Sequence, residues 1–553
     1  MWGRLLTCGG LLIRLPPLFT RCALSLLLTL LLLPLPLAAH PCESCHPKQV
    51  AAYSHSSMSR SLRRPANEPA GALTAAGSGA RFTVRSDGKG TWQRMERAGE
   101  TSEQPVAYVI GSGRHAAGYL ILVGDHLFQS PICYYTNRRA YGLAPGYERI
   151  PEPDFTRPVG EECVLCHSGR PLHIPGTANR YTPPVFAPEA ISCERCHGAA
   201  EAHLRRPVPG SIVNPAKLAP AARDSICEQC HLAGVTRILN PGVHFGDFRP
   251  GQRLEEVFTV YTRAGGDAFN SASFKVISHA EQLARSACAR NSHGELWCGT
   301  CHNPHPAAAP TSQTFSARCQ ACHQGKLPKS HPTGANCVSC HMTRRQAQDG
   351  GHTVFTDHRI ARRPQPDEPT SEPPDGPRSD PTGEPTPQPE SLVAWRDPPP
   401  ALAARNLALA YVNAGISGRS PAQMVRGYRM LTEVQRAAPG DIGVLKGIGR
   451  ALLLGKEPLE ALRAFERVLQ LDPDSAGSEE DVGIACLESG QVEKAASHLE
   501  RALELDPLQL SAATALQQVY RRQGEDKKAT ALGDRMADQM RRVTLSSPMK
   551  SGK

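Results

Sequence analysis

Seven short segments of the chain combine two thiols and one imidazole in the order Cys-x-x-Cys-His. Two thiols separated by two residues can add to the vinyl groups along one edge of a porphyrin, and the adjacent imidazole then reaches the iron. The thiol pairs are Cys42 and Cys45, Cys163 and Cys166, Cys193 and Cys196, Cys227 and Cys230, Cys298 and Cys301, Cys319 and Cys322, and Cys337 and Cys340. The motif imidazoles are His46, His167, His197, His231, His302, His323 and His341.

A single copy of this motif has two other interpretations, half of a zinc site or a redox-active pair of thiols. Here seven copies use 14 of the 19 cysteines, and every copy ends in His. A zinc site does not require that each Cys-x-x-Cys pair be followed directly by a His. The repeated motif therefore predicts seven covalently bound haem c groups, each attached through two Cys and ligated by one His.

Histidines outside the motifs are candidates for the opposite side of each iron. His305 and His331 lie between the last three motifs and are available as such ligands. His203 follows the third motif after the short segment GAAEA, from which it can reach a neighbouring iron.

Two longer intervals without a motif each contain a further candidate. His115 ends the sequence GSGRH, whose glycines allow a close approach to a haem. A purely structural role for His115 is the alternative. Residues 232–297 contain His244, His279 and His293, and His279 is the preferred ligand because the stretch VISHAEQL looks helical.

The second ligand of the first iron is left open by the sequence. His55 and Met58 both follow the first motif closely. A thioether raises the reduction potential relative to a second imidazole, so the choice affects function. In the third alternative neither residue binds, and this iron keeps an open coordination position.

The composition suits a chain built around cofactors. Its 553 residues suggest about three domains. Aromatic residues make up only 5%, and porphyrins would supply the flat apolar surface that aromatic side chains usually provide. The formal charge of +10 includes three leader arginines, and each ferric haem with ionised propionates adds about −1. The resulting balance is roughly zero, so we draw no nucleic-acid inference from it.

Residues 1–39 are typical of an export signal. Arginines and no acids precede an uncharged, leucine-rich run from Cys22 to Ala39 that ends in small residues. An uncleaved membrane anchor is the alternative, because the run is at the lower limit of spanning length. Covalent haem attachment outside the bacterial cytoplasm fits export, so we expect a periplasmic or cell-envelope location.

The rest of the chain divides by composition. Alternating residues between about 81 and 130 predict a small antiparallel sheet inside a loop-rich haem domain, residues 40–362, with short helices. Residues 363–400 are proline-rich and are expected to form an extended linker. Residues 401–545 are expected to form an all-α solenoid of tetratricopeptide (TPR) repeats.

A period of 34 residues carries the prediction of repeats. It separates Pro439, Pro473 and Pro507, and the same spacing separates Ala461, Ala495 and Ala529. A period of this length is typical of tetratricopeptide helix pairs, in which small residues sit where two helices meet. Such repeats usually bind a protein or peptide, so we expect them to dock a redox partner. A stabilising or dimerising appendage is the alternative.

The order CxxCH, CHGxxxxH, CxxCH, CHNPH, CxxCH, HP…CxxCH and HTVFTDHRI resembles exported multihaem cytochromes fused to tetratricopeptide repeats. Their haem domain is similar to the tetrahaem cytochrome partner of hydroxylamine oxidoreductase. The resemblance covers about residues 40–362 and supports Met58 as a ligand. It implies a second histidine ligand for most irons, drawn from His115, His203, His279, His305, His331, His352 and His358. The chain has CHGAA where that family often has CHGPG.

Three functions fit this pattern. Irons with two protein ligands cannot bind substrate and would only transfer electrons. A redox enzyme for a small nitrogen or sulfur compound needs one open-faced iron and a proton donor, and the first iron is the candidate. No CxxCK motif marks a nitrite-reducing site. In the third reading, the repeats bind a partner and the haems report redox state.

Two cysteines of the haem region lie outside the motifs, Cys133 and Cys288. Outside the cytoplasm they could form a disulfide. Two buried free thiols are the alternative.

Overall fold

The computed structural model describes residues 40–264, 274–306, 308–328, 331, 336–363 and 391–546. The chain divides into two compact units, Met1–Ala51 and Ala52–Lys553. The predicted export signal, residues 1–39, lies outside the described residues. In the described part of the chain, no helix combines the length and apolarity needed to cross a membrane.

Two antiparallel sheets occupy residues 62–158. The first has the order β2-β3-β4-β5, and the second has the order β1-β6-β7-β8-β11, with β9 on β7 and β10 on β9. The strands are β1 Leu62–Arg63, β2 Gly71–Thr74, β3 Arg81–Asp87, β4 Gly90–Arg97, β5 Glu100–Pro105, β6 Tyr108–Ile110, β7 Ala116–Val123, β8 His126–Gln129, β9 Ile132–Tyr135, β10 Ala140–Leu143 and β11 Arg157–Pro158. Alternation explains β3, in which Phe82 and Val84 are buried between more exposed neighbours.

Shorter elements follow up to residue 394. The strands β12 and β13 pair with each other, as do β16 and β17, while β14, β15 and β18 form a three-stranded sheet. These strands are β12 Pro171–His173, β13 Tyr181–Phe186, β14 Thr236–Leu239, β15 Phe258–Arg263, β16 Arg344–Gln346, β17 Val354–Thr356 and β18 Leu392–Ala394. The helices up to this point are α1 Pro47–Ser54, α2 Glu161–Leu165, α3 Glu194–His197, α4 Glu201–Arg205, α5 Pro220–His231, α6 His279–Ala284, α7 Ala287–Asn291, α8 Cys298–Cys301, α9 Ser312–His323 and α10 Cys337–His341.

The C-terminal part of the described chain, from residue 403, is helical. Its helices are α11 Ala403–Ser417, α12 Pro421–Ala437, α13 Ile442–Leu454, α14 Pro458–Leu471, α15 Ala476–Glu488, α16 Val492–Leu505, α17 Leu510–Arg522 and α18 Asp526–Ser546. Consecutive helices pack in pairs, and Ala461, Ala495 and Ala529 are buried between them. A Cβ on Gly483 would come within 2.6 Å of Leu499, which explains the small residue there. The predicted antiparallel sheet structure and the all-helical C-terminal region are both confirmed.

The helical repeats share their core with the sheets. One buried cluster joins Phe82 and Tyr119 of the sheets to Leu516 and Met536 of the last repeat. A second cluster joins Tyr261 of β15 to repeat residues of α11 to α14. Because apolar burial is the main stabilising term in folding, the sheets and the repeats are expected to support one another's stability.

A buried polar contact reinforces this junction. His126 of β8 lies 2.6 Å from the Asp506 carboxylate through Nε2, and both side chains are almost fully buried. Arg180 donates to Asp125 and to the carbonyl of Leu505, at 2.8 and 3.0 Å. Asp506 belongs to a Leu-Asp-Pro sequence that recurs in the repeats, so its sequence context did not indicate a special role.

The predicted linker is partly structured. Residues 364–390 lie outside the described residues, but Leu392–Ala394 form β18 against β15. Beyond this strand, Trp395 Nε1 and Arg396 Nη2 donate to Glu228 of α5, at 3.1 and 2.7 Å. The segment just before the repeats is therefore fixed to the helix that carries the fourth motif.

The variant Asp506→Asn tests the buried contact at the junction. We expect it to lower the free energy of unfolding by about 1.5–3 kcal/mol, because a buried hydrogen bond to a charged group is weakened. Urea unfolding of the purified protein measures the change. The matched variant is Asp472→Asn in the preceding repeat, where the same Leu-Asp-Pro sequence is more exposed. An equal loss in both variants would contradict the assignment.

Candidate functional site

All six motifs in the second unit lie on helical turns. The second and third motifs lie on α2 and α3, the fourth ends α5, and the last three lie on α8, α9 and α10. On a helix, residues three and four positions apart share a face. The Cys-x-x-Cys-His spacing therefore directs both thiols and the imidazole to one side. In the first unit, His46 N donates to the Cys42 carbonyl at 2.8 Å, which closes a similar turn.

The third motif shows how the imidazole is oriented. His197 Nδ1 lies 2.8 Å from the Val213 carbonyl oxygen, and the Val213 amide donates to the His197 carbonyl at 3.2 Å. A carbonyl only accepts, so Nδ1 carries the hydrogen and the neutral ring keeps its lone pair on Nε2. Metal-binding histidines commonly donate their other nitrogen in this way.

Two further imidazoles have the same arrangement. His341 Nδ1 faces the Ala361 carbonyl at 2.7 Å, and His358 Nδ1 faces the Thr356 carbonyl at 2.9 Å. His341 belongs to the seventh motif, whereas His358 lies outside the motifs. Both rings therefore keep a lone pair on Nε2.

In three pairs, a motif histidine lies close to a non-motif histidine. The ring centroids are 6.0 Å apart for His197 and His305, 6.1 Å for His302 and His358, and 6.2 Å for His331 and His341. Two imidazoles that bind one metal ion from opposite sides, with metal–nitrogen distances of about 2.0 Å, have centroids roughly 6 Å apart. The centroid spacing of these three pairs therefore matches that of two histidines bound to one iron.

The fourth motif belongs to a cluster of imidazoles. The His279 ring lies 5.0 Å from that of His231 and 4.8 Å from that of His358. Burial, with the neighbouring imidazoles, lowers the pKa of His279 to about 2 and those of His231 and His358 to about 4. His279 Nδ1 is buried without a hydrogen-bond partner. The cluster is therefore neutral at pH 7 and offers lone pairs rather than positive charge.

The remaining predicted ligands differ in their surroundings. His203 Nδ1 lies 2.7 Å from Ser211 Oγ, whose own hydrogen goes to the Val208 carbonyl, so His203 also keeps a lone pair on Nε2. The His115 ring lies 4.8 Å from that of Phe355. Burial and nearby arginines lower the pKa of His115.

His352 has the opposite orientation. Arg138 donates to His352 Nδ1 at 2.8 Å. A guanidinium only donates, so Nδ1 is an acceptor and the hydrogen of the neutral ring lies on Nε2. The structure thus turns the lone pair of His352 towards Arg138.

The segment containing Met58 lies beside the second motif. Ser61 donates from its amide to the Met58 carbonyl at 3.1 Å and from Oγ to the His167 carbonyl at 2.5 Å. His55 Nδ1 lies 3.3 Å from Ser54 Oγ. The sequence associated His55 and Met58 with the first iron, and the contact with the second motif came from the structure.

Thiols of different motifs lie next to one another. A hydrogen bond between Cys166 and Cys230 lowers the pKa of the Cys166 thiol and raises that of Cys230. Cys227 and Cys298 form a similar pair, with the pKa of Cys227 raised. These contacts bring the second, fourth and fifth motifs together.

Cys133 and Cys288, which the sequence left as a disulfide or as two free thiols, are both free. Cys133 Sγ donates to the Ala117 carbonyl at 3.2 Å, and burial raises its thiol pKa to about 12. Of the two sequence alternatives, the structure therefore has free thiols, buried for Cys133 and half-buried for Cys288.

Asp357 lies beside the predicted ligand His358 and was not singled out from the sequence. Its buried carboxylate pairs with Arg345 at 2.9 Å and also with Arg359. Burial favours the neutral acid, but the arginines outweigh it and hold the pKa of Asp357 below its usual value. Asp357 directly precedes His358, and that adjacency was the available signal.

No protein-family model and no curated protein sequence matches the chain. Part of it is similar to solved structures of the repeat protein MamA. One of them, residues 41 to the end of MamA from Desulfovibrio magneticus RS-1, is 21% identical with a TM-score of 0.23, and the match covers 27% of this chain and 82% of that one. Another, MamA MSR-1, is 21% identical with a TM-score of 0.23, and that match covers 26% of this chain and 78% of that one. The similarity concerns about a quarter of this chain.

The variant Asp357→Asn tests the charge cluster beside His358. At pH 7 we expect the free energy of unfolding to fall by about 3–5 kcal/mol, because two partly buried guanidinium groups lose their carboxylate. The Asp357 carboxylate contributes fully above about pH 4, and its contribution is lost as the pH falls through the lower folded-state pKa. The difference from the wild type should therefore shrink in acid.

Denaturant unfolding at several pH values measures this difference. The control is Glu96→Gln, which removes one partner of an exposed ion pair with Arg94. We expect this control to change stability by less than about 1 kcal/mol at any pH. A pH-independent loss in Asp357→Asn would argue against the charge cluster.

Proposed function

We propose that this chain is an exported bacterial multihaem c-type cytochrome. In this proposal seven covalently bound haem c groups pass electrons, and the helical repeats dock a redox partner. One observation carries it: in three pairs, the ring centroids of a motif histidine and a non-motif histidine lie 6.0–6.2 Å apart. Their spacing and the carbonyl contacts of His197, His341 and His358 are those expected of paired axial ligands.

The motif thiols and the paired imidazoles would have different roles in holding the haems. Motif thiols would attach each porphyrin, and the paired imidazoles would hold its iron and so leave no position for a small substrate. When bound, haem iron supplies one-electron chemistry between its ferric and ferrous states. Burial keeps the imidazoles of His231, His279 and His358 neutral. The low dielectric constant around such a site would tune the reduction potential.

Contacts between motifs support transfer along the chain of cofactors. His279 lies next to His231 of the fourth motif and next to His358. His358 in turn lies 6.1 Å from His302 of the fifth motif, so the two motifs share one imidazole cluster. Adjoining thiols link the second motif to the fourth. Close packing of attachment sites favours short steps between neighbouring groups.

A redox enzyme acting on a small nitrogen or sulfur compound is the second candidate. The orientation of His352 favours it, because its lone pair points to Arg138 rather than to a metal. An iron for which His352 is the expected second ligand would then have an open coordination position. Electron transfer remains the preferred function, because several other predicted ligands have the orientation that ligation needs.

The helical repeats fit protein–protein interaction. Large apolar side chains remain exposed where α13 turns into α14, with Leu454 52% and Leu459 53% exposed. Other faces of the repeats are buried against the sheets. We propose that the outward surface recruits the redox partner.

Expression in a host competent for cytochrome c maturation tests the proposal. The mature protein should gain about seven haem masses and show low-spin ferric signals in low-temperature electron paramagnetic resonance. A colourless folded protein that holds zinc would refute the proposal. A stoichiometric high-spin signal that shifts with nitrite or hydroxylamine would favour the enzyme instead.

The variant His358→Ala gives a sharper test of axial pairing. We expect unchanged haem mass, loss of one low-spin signal and gain of one high-spin signal, because the iron opposite His302 loses a ligand. His293→Ala is the matched control, since His293 is exposed and unassigned. Identical spectra for both variants would contradict this pairing.

A further inference from the structure

A closed loop next to the third motif reaches the surface. Its ends are joined by the two hydrogen bonds between His197 and Val213, at 2.8 and 3.2 Å. We call residues 198–213 the tip loop. It contains α4 and His203, and every residue from 204 to 210 is exposed.

Two large apolar side chains project from the tip loop into solvent. Leu204 is 49% exposed and Val208 is 41% exposed. Backbone hydrogen bonds from Val208 to Arg206 and from Ser211 to Val208, at 2.9 and 3.1 Å, hold this turn in shape. Single exposed apolar residues are common, but a folded turn that presents two of them is suited to a contact surface.

The same turn carries unbalanced positive charge. Arg205 and Arg206 are exposed and have no carboxylate partner among the described residues. Residues 198–222 contain Lys217 in addition, and their one acidic residue is Glu201. An apolar contact beside cations that are unpaired within the described part of the chain is complementary to an apolar patch bordered by carboxylates.

Two hydrogen bonds connect this surface to His203 of the candidate site. Ser211 Oγ donates to the Val208 carbonyl and accepts from His203 Nδ1, at 2.7 Å in each case. His203 directly precedes Leu204 and is half-buried. A partner seated on the turn would therefore lie one residue away from a predicted iron ligand.

We infer that the tip loop is the docking surface for an acidic electron-transfer protein, and that electrons cross the molecular boundary there. This inference rests on the proposed function. Charges at such a surface steer association, and the small apolar contact allows rapid release, as in transient redox complexes. The repeats would recruit a partner, whereas the tip loop would be the place of transfer.

Stopped-flow reduction by an acidic plant-type [2Fe–2S] ferredoxin is the test. The double variant Arg205→Glu/Arg206→Glu should slow haem reduction by about ten-fold or more at low ionic strength and remove most of its salt dependence. The control Arg81→Glu/Lys89→Glu makes the same charge change on β3 and its adjoining turn and should stay within about two-fold of the wild type.

A second variant separates apolar contact from charge. Leu204→Ser/Val208→Ser should slow reduction by the ferredoxin while leaving its salt dependence unchanged, because the cations remain. Reduction by dithionite, which needs no docking, should be unaffected in all variants.

The possible results distinguish a failure of the proposed function from a failure of the docking surface alone. A wild type without about seven haem masses refutes the proposed function and this inference together. Normal haem content, with ferredoxin rates and salt dependence unchanged in the double arginine variant, refutes the docking surface alone. Equal slowing by the Arg81 and Lys89 control also refutes it, because general charge would then explain the effect.

Discussion

The hydrogen bond from a histidine Nδ1 to a backbone carbonyl is the interaction on which the candidate site depends. It orients His197, His341 and His358 and leaves each with a lone pair on Nε2. For two of them the carbonyl comes from a loop 16 or 20 residues further along the chain. The path of those loops therefore determines which nitrogen is available to a metal, and loop conformation and ligand chemistry cannot be separated.

Burial of neighbouring imidazoles is the second constraint. In the cluster around His279, the low dielectric of the interior lowers the pKa of His279, and the neighbouring rings lower it further. Such a cluster is stable only when neutral or when a bound cation shares its lone pairs. Folding and cofactor binding are consequently expected to be coupled in this region.

The repeats are part of the same folded body as the sheets. Apolar clusters cross the junction, and buried polar contacts such as His126 with Asp506 fix its register. The anchor of Trp395 and Arg396 on Glu228 reaches the helix that carries the fourth motif. A partner bound to the repeats would thus be held at a defined position relative to the motifs rather than on a flexible tether.

Local spacing allowed the sequence by itself to determine the seven motifs, the 34-residue helical period and the presence of a small sheet. Positions three and four apart share a helix face in any context, and alternation marks a strand in any context. His305 could be proposed as a ligand because it lies between two motifs, and His358 because of the resemblance to multihaem cytochromes.

Tertiary structure alone decided which histidines lie close together, the reversed orientation of His352 and the packing of the repeats on the sheets. His126 and Asp506 are 380 positions apart, and nothing local marks either residue as a partner. Such contacts depend on how distant segments fold together, and the free energy that selects them is spread over the whole core.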